Sequence, residues 1–477
     1  MLNQIDFSLL YPQLFLLVWA MMIFGADFII VRQDKRYLGY LSILGLMITA
    51  IISLTSPQGT TLFGAFRADV FGLSFNIIFI GSAILTTASA IDYVSARLNH
   101  QGEFYGLILL STVGMMFLAA AGDLLTLYVS LELATITLFV LTAYMKRDLR
   151  STEAGLKYLI LGAASSALMV YGISLLYGLT GTLSLDAIAA KLESLFMVGP
   201  LFMLSLILIV SGLSFKLAAV PFHMWCPDVY EGAPTPVTAY LSVASKAAGL
   251  AALIRIFFES LSASASDWIP LIMAISAMAM VLGNVVAVRQ HNIKRLLAYS
   301  SIAQVGYVLV GFVAVSELAT TSMILYLIAY MFANIGAFIV VIAFYNRIGS
   351  DEIISYAGLS KRSPFLAISM VIFLLSLVGI PPMAGFVGKF YLFSAAIEKG
   401  YYWLVVLGVL TSVVSLYYYM TIAYQMYFKT GDDESRIQIN PTLTIAILVA
   451  LAGTLLIGIY PDPVISTISN ASHPFFQ

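Results

Sequence analysis

Apolar residues run through this chain in long blocks instead of alternating with polar ones. The blocks cover 9–31, 38–54, 71–91, 104–121, 124–145, 154–179, 196–220, 235–258, 268–288, 294–315, 320–345, 364–398, 401–428 and 442–459. A bilayer core of roughly 30 Å takes about 20 apolar residues in a helix. Each block meets that length or comes close, so the pattern predicts an all-α polytopic membrane protein of about fourteen spans. An even number of spans puts both termini on one side. The longest polar stretches, around 346–363 and 429–441, are short enough to be loops, so one membrane domain, 1–477, is expected.

Two blocks are irregular. Residues 364–398 would make a helix of about 52 Å, longer than the bilayer core is thick. Gly379-Ile380-Pro381-Pro382 stands in its middle, followed by Gly385 and Gly388. Proline removes a backbone hydrogen bond and clashes with the preceding turn, so a break is expected there. The second case is 196–231, interrupted by Pro221, Pro227 and Gly232. Broken helices persist in membranes only where protein or water satisfies the freed backbone. A matching pair in two halves of a chain points to inverted repeats around a pathway. A kink that only shapes packing is the plainer reading of one proline. Two breaks, each carrying a lysine, favour the pathway.

Composition supports the membrane reading. Hydrophobic residues make up 61% of the 477 positions and charged residues only 10%, against roughly 25% charged in a soluble domain. The net charge of -1 leaves no basic surface for nucleic acid. Cys226 is the one cysteine, too few for a disulfide or an iron–sulfur cluster. His100, His223, His291 and His473 have no haem or zinc spacing, and no nucleotide-binding glycine motif is present. No cofactor and no metal are expected in this chain.

Fifteen basic residues, among them Arg32, Lys35, Lys146, Arg289, Lys361 and Arg436, fall at the odd-numbered loops if the N-terminus is outside. Only Arg67, Lys191 and Lys399 fall on the other side. That bias favours both termini outside. Because Arg32 follows the first block instead of preceding it, 9–31 reads as a retained helix and not as a signal peptide.

The other five basic residues, Lys157, Lys216, Lys246, Arg255 and Lys389, fall inside the blocks, as does Glu132. A lysine at the bilayer centre costs roughly 2.5–3.5 kcal/mol on insertion scales, and such residues often relay protons. Burial disfavours a charged amine, so a buried lysine can exchange its proton near physiological pH. Glu132, Lys216, Lys246 and Lys389 are the candidate relay. A structural ion pair is the bland reading of Glu132, and a snorkelling side chain that of the lysines; Lys246 is too central to snorkel easily. Its neighbours Ser242, Ala244, Ser245, Ala247 and Ala248 are small enough for water and close helix packing. Lys157 lies near a span end and is a weaker candidate. His223, beside the first break, is more often a packing residue, though its reference pKa of roughly 6.5 suits relay work. Arg255 reads as an interfacial anchor or local ion-pair partner. Asp27 and Asp123, at span ends, read as partly solvated, Cys226 as a packing residue, and the Tyr417-Tyr418-Tyr419 run as hydrogen-bonding inside the bundle.

These charges sit in recognisable segments. They are 124–133 around Glu132, 215–237 from Phe215-Lys216 through His223 to Val237, 294–302 from Lys294-Arg295 to Ile302, and 379–390 from Gly379 to Lys389-Phe390. Together they resemble the antiporter-like subunits of respiratory complex I over nearly the whole chain. Within that family the subunit N group is the nearest in pattern. There is no long C-terminal lateral helix as in subunit L, and Lys389 stands where subunit M carries a glutamate. Cys226 departs mildly from the expected Thr or Ala.

The resemblance implies two inverted five-helix repeats with discontinuous helices, at about 104–258 and 268–428. It implies that Glu132 pairs with Lys216, that Lys246 bridges at the centre, and that Lys389 serves the second half-channel. It further implies a proton-translocating subunit of an NADH–quinone oxidoreductase (a translocase) in a bacterial cytoplasmic membrane. Other membrane subunits, antiporter-like ones included, would be the partners, with redox chemistry carried elsewhere. The alternatives are a subunit of an Mrp-type cation/proton antiporter and a non-conducting membrane scaffold.

Overall fold

Polar caps set the ends of the helices into which the apolar blocks fold. A computed structural model describes residues 6–29, 35–98, 100–194, 199–431 and 435–476. Arg32 of the charge count, and the ends of blocks 9–31 and 196–220, lie outside the described residues.

The chain begins with α1 (Phe7–Ile29) and α2 (Arg36–Thr55), then a short antiparallel hairpin, β1 (Gly59–Thr61) and β2 (Phe66–Ala68). Next come α3 (Val70–Arg97), α4 (Gln101–Ala119), α5 (Leu124–Thr142) and α6 (Leu149–Thr180). The Asp69 carboxylate caps α3 by accepting from Gly72 N at 2.7 Å. Asp123 caps α5 in the same way, accepting from Thr126 N at 2.6 Å. These satisfy amides that a helix start leaves free. A short α7 (Leu185–Ser194) leads to α8 (Pro200–Leu217), α9 (Trp225–Gly232), α10 (Thr235–Ser260), α11 (Ser262–Ala287), α12 (Ile293–Phe312) and α13 (Glu317–Ile348). The last elements are α14 (Pro364–Val378), α15 (Ala384–Glu398), α16 (Tyr402–Phe428), α17 (Pro441–Ile459) and α18 (Asp462–Ile468).

Thirteen of these helices are long and apolar enough to cross a membrane. With α14 and α15 as the two halves of one broken span, the expected count of about fourteen is met. The block 364–398 breaks where the Gly-Ile-Pro-Pro run stands, so a continuous helix there is excluded.

Loops expected on the same face do meet. Phe66 pairs with Ala121 and Asp123 with Ser184, which joins the connections before α3, α5 and α7. On the other face Asn292 pairs with Glu352. These bridges hold the flanking helix ends side by side on two opposite faces. α10 is buried on every side, and α12 and α13 nearly so, whereas α1, α2, α6, α16 and α17 turn a face outward. Large apolar side chains such as Val406, Val413, Ile445 and Leu456 cover those outer faces. An all-apolar helix belongs in the centre of such a bundle. The chemistry to be explained therefore lies where polar side chains enter α10, α12 and α13.

Arg255, near the end of α10, is 0% exposed. Its Nη2 meets Asp69 at 2.7 Å, its Nη1 lies 3.6 Å from Glu259, and its Nε donates to Ala119 O at 3.0 Å. Arg67 bonds Glu259 as well and reaches Asp186 at 2.8 Å. Arg255 is thus a local ion-pair partner, not an interfacial anchor. Removing one member of a buried pair strands the other and costs about 3–5 kcal/mol. Arg255→Leu is expected to lower the thermal stability of the detergent-solubilised protein by an amount of that size. Unchanged melting would show that Asp69 and Glu259 do not depend on it.

Candidate functional site

Three lysines enter the core at irregular points of the backbone. The first irregularity ends α8, where Ala218 adopts the left-handed conformation with φ +57°. Lys216 lies on that last turn and is 2% exposed. Its Nζ donates to Thr135 Oγ1 on α5 at 2.6 Å. Thr135 follows Glu132 by three residues and so shares its helix face. Glu132 is half-buried and accepts from Ser166 on α6. Hydroxyls fill the first contacts of both residues, and the Glu132 charge acts on the Lys216 amine at longer range. No salt bridge joins the two residues among the described ones. Lys216 meets the α5 face one turn past the carboxylate, and Ser166 occupies the Glu132 oxygen.

Lys246 lies within α10 directly after a π-helical turn, Leu241–Ser245. Such turns re-aim side chains and recur at functional sites. Another π-helical turn, Met331–Ile335, interrupts α13. The two are joined, since Asn334 Nδ2 donates to Ser242 Oγ at 2.6 Å. Lys246 is 3% exposed and donates to Ser301 Oγ on α12 at 2.7 Å. The Tyr230 ring centre lies 5.9 Å from its Nζ. Gly249, one turn on, eases the approach: a Cβ there would lie 3.2 Å from Leu217 Cδ2 and 3.3 Å from Lys216 Cγ, which would have to give by a few tenths of an ångström. A glycine thus lets the helix of Lys246 lie against the stem of Lys216.

Lys389 is set by the second break. α14 ends at Gly379, with φ +93°, which frees the carbonyls of its last turn. Lys389 Nζ donates to Leu377 O at 3.2 Å, Val378 O at 2.9 Å and Ser412 Oγ at 3.1 Å. Three ammonium hydrogens meet three acceptors, two of them at the negative end of a helix. The Tyr307 ring centre lies 4.1 Å away. Only glycine serves at 379, because of its φ and because a Cβ would lie 3.0 Å from Lys389 Cδ. Lys389 is 5% exposed and borders a cavity of about 490 Å³. Phe386, Phe390 and Val409 give that cavity mainly apolar walls, with Ser394 and Ser412 beside the lysine.

Lys157 is not brought into this row. Its side chain is 42% exposed and pairs with Glu153 at 2.8 Å and Asp228 at 2.9 Å. Arg295 completes that surface cluster, meeting Asp228 at 2.8 Å and Glu231 at 2.9 Å. His223 lies half-buried in the connection between α8 and α9. Cys226 is buried, as expected of a packing residue. Tyr418 and Tyr419 bond Asn284 and Ser300 inside the bundle, while Tyr417 is exposed. Asp27 is buried, not partly solvated, because Lys35 reaches back to it at 2.7 Å. Asp27, His100 and Glu103 bring ligand atoms within 4.8 Å of one another, but the Lys35 ammonium is already the cation of that group.

Lys294 is a buried lysine that sequence reasoning missed. It donates to Ala233 O at 2.9 Å and lies 3.7 Å from Asp351. Burial holds the Asp351 carboxyl, in the loop after α13, above the usual carboxylate range, against the pull of Lys294. Its position at the edge of a block, beside Arg295, made Lys294 look like a loop charge.

The family model described as "NADH:quinone oxidoreductase/Mrp antiporter, TM" matches residues 121–415. NADH-quinone oxidoreductase subunit N of Moorella thermoacetica is 48% identical over 453 residues, 94% of each chain. The protein of that name from Heliobacterium modesticaldum is 44% identical, covering 93% of this chain and 94% of its own. Among solved structures, a chain of respiratory complex I from Thermus thermophilus matches with a TM-score of 0.81 at 31% identity, over 95% of this chain and 98% of that one. A chain of the Mrp complex from Dietzia sp. matches with a TM-score of 0.87 at 20% identity, over 98% of this chain and 97% of that one, a likeness of fold alone.

Proposed function

The chain belongs to the NADH:quinone oxidoreductase/Mrp antiporter transmembrane family, and we propose that it is a proton-translocating N-type membrane subunit of an NADH–quinone oxidoreductase. The observation that carries the proton role is the row Lys216, Lys246 and Lys389. Each amine is buried and donates to hydroxyls or carbonyls, and no carboxylate forms a salt bridge with any of them among the described residues. A stable structural charge in such a place would have a paired counter-ion, as Arg255 has. Lysines with neutral partners can gain and lose a proton without stranding an ionised neighbour.

In this reading Glu132, half-buried on the outer side of α5, senses the adjoining membrane subunits. A change of its charge acts on Lys216 through the shared α5 face. A proton on one lysine then repels a proton on the next. Moving one charge against 100 mV costs roughly 2.3 kcal/mol, so the driving energy comes from redox chemistry in partner subunits. Lys157 and His223 belong to the entry side of the first half.

Support for two inverted repeats, at about 104–258 and 268–428, comes from features found in both halves. Each half holds a helix ended by a left-handed residue, Ala218 or Gly379, and a π-helical turn ahead of residue 246 or 336. The charge bias of the loops favours termini outside a bacterial cytoplasmic membrane. The Mrp-type antiporter is the second reading, and it rests on the shared fold. Purification in mild detergent through a tag on this chain decides between them. Flavin and iron–sulfur subunits are expected to copurify; antiporter subunits alone would replace our reading.

A double-mutant cycle tests the first pair. Glu132→Gln and Lys216→Met should each lower NADH-driven proton uptake in membrane vesicles. The double variant should fall well short of the summed loss, with a coupling of roughly 0.5–3 kcal/mol. Strict additivity would mean that the two act apart.

A further inference from the structure

Four helix ends meet around a cavity of about 300 Å³ that lies apart from the lysine row. α2 and α17 start there, and α3 and α13 end there. All four ends belong to loops that the charge bias puts on the inner side of the membrane. Arg36, Arg97 and Arg347 line the cavity, against one carboxylate among the described lining residues, Asp92. Asp92 lies 3.8 Å from Arg36, whose Nε also donates to Ser95 Oγ at 3.1 Å. Neither Arg97 nor Arg347 forms a salt bridge among the described residues.

Arg97 is fixed in place. Its guanidinium lies 4.5 Å from the Tyr93 ring centre and 5.1 Å from that of Tyr345, and its Nη1 donates to Asn346 Oδ1 at 2.7 Å. Arginine only donates, so Asn346 turns its oxygen to Arg97 and keeps Nδ2 as a donor. That Nδ2 is buried and has no partner among the described residues. An unpaired buried donor is costly, and an acceptor in the cavity would relieve it. The plain reading of Arg97 and Arg347 is a cation in the last turn of each helix, where the dipole favours one. It explains neither the unpaired Asn346 donor nor the space that Asn346 borders.

The cavity also leads onto a membrane-facing surface. Ile77, Gly81, Ile84 and Ala88 form a partly exposed stripe of α3 at helical spacing, and the stripe ends at Asp92 and Ala96 in the cavity. α2 and α17 both pack on α3 and turn Leu44, Met47, Ile445 and Leu448 outward. A soluble anion would use the arginines and leave the stripe bare. We propose that this is a binding site for an anionic phospholipid. Arg97, Arg347 and Asn346 Nδ2 hold its phosphate, and its acyl chains lie along α3. Basic pockets between helices on the inner side suit such head groups.

The test uses the complex that copurifies with this chain, reconstituted in phosphatidylcholine vesicles. A small share of the lipid is phosphatidylglycerol with a photoactivatable diazirine in one acyl chain. Light should crosslink it to peptides of α2, α3 and α17, read by mass spectrometry. Arg347 is exposed, and Arg347→Gln breaks no salt bridge among the described residues. It should lower labelling there about fivefold, the worth of one basic residue at an anionic surface, and leave labelling elsewhere on the chain unchanged. Asp92→Asn removes the opposing charge and should raise labelling, a sign that a damaged fold would not give. Labelling that either variant leaves unchanged overturns the proposal. So does equal labelling by phosphatidylcholine with the same diazirine, which means lipid contact without charge recognition. Absence of label from α2 and α17 overturns it too, and means that a partner subunit covers this face. Millimolar inorganic phosphate should leave the labelling intact; displacement would assign the cavity to a soluble phosphate and overturn the lipid.

Discussion

Lys246→Ala is expected to assemble normally and to lower NADH-driven proton uptake on the order of tenfold or more. Stability survives because the Lys246 amine forms no salt bridge, so its removal strands no buried charge. The loss is one hydrogen bond to Ser301 and a small void in a helix that alanine favours. This contrasts with Arg255, whose removal takes the cation from Asp69 and leaves Glu259 with Arg67 alone. Transfer fails because no other titratable side chain on α10 reaches Ser301. Lys246→Arg should not restore uptake, since a guanidinium stays charged at any accessible pH. Uptake at the rate of the unaltered complex, measured by a pH-sensitive dye in sealed vesicles with assembly checked on a native gel, would remove Lys246 from the relay.

The parts of this fold visible in the sequence are those fixed by solvent and by backbone chemistry. Lipid demands continuous apolar blocks, and proline with glycine demands a break, so the helices and the interruption at Gly379–Met383 could be read directly. Burial of Lys216, Lys246 and Lys389 could be read too, because nothing within a block offers an escape to water. Pairing was less accessible. Lys216 meets Thr135 instead of Glu132 because the rotation of α5 against α8 decides which turn faces the amine. No periodicity in 124–145 encodes that rotation, since every face of the block is apolar. The π-helical turns were invisible because one extra residue in a turn leaves no mark in composition. Asp27 looked solvated at a span end until Lys35, eight residues on, folded back over it. Gln304 was hidden for a different reason. One neutral amide within an apolar block reads as packing, yet Nε2 of Gln304 donates to the Leu377 carbonyl at the second break and its oxygen accepts from Tyr326.

Lys389→Met is expected to stop transfer through the second half while leaving the broken helix in place. Methionine has nearly the length of lysine and an apolar stem, so it can follow the same path past Gly379. What it lacks is the donor. Leu377 O keeps its bond from Gln304, but Val378 O loses its side-chain donor and Ser412 loses a partner. An unpaired buried carbonyl costs about 1–3 kcal/mol, and no buried charge is stranded with it, since Lys389 bonds only carbonyls and a hydroxyl. The complex should therefore assemble, with proton uptake lowered on the order of tenfold or more. If Lys246 and Lys389 act in series, the Lys246→Ala/Lys389→Met double variant should be no worse than the weaker single one, because one broken link already stops the line. If they served separate routes, the two losses would multiply. Multiplying losses would break the series arrangement; normal uptake in Lys389→Met alone would show that the second break is a packing feature and not a half-channel.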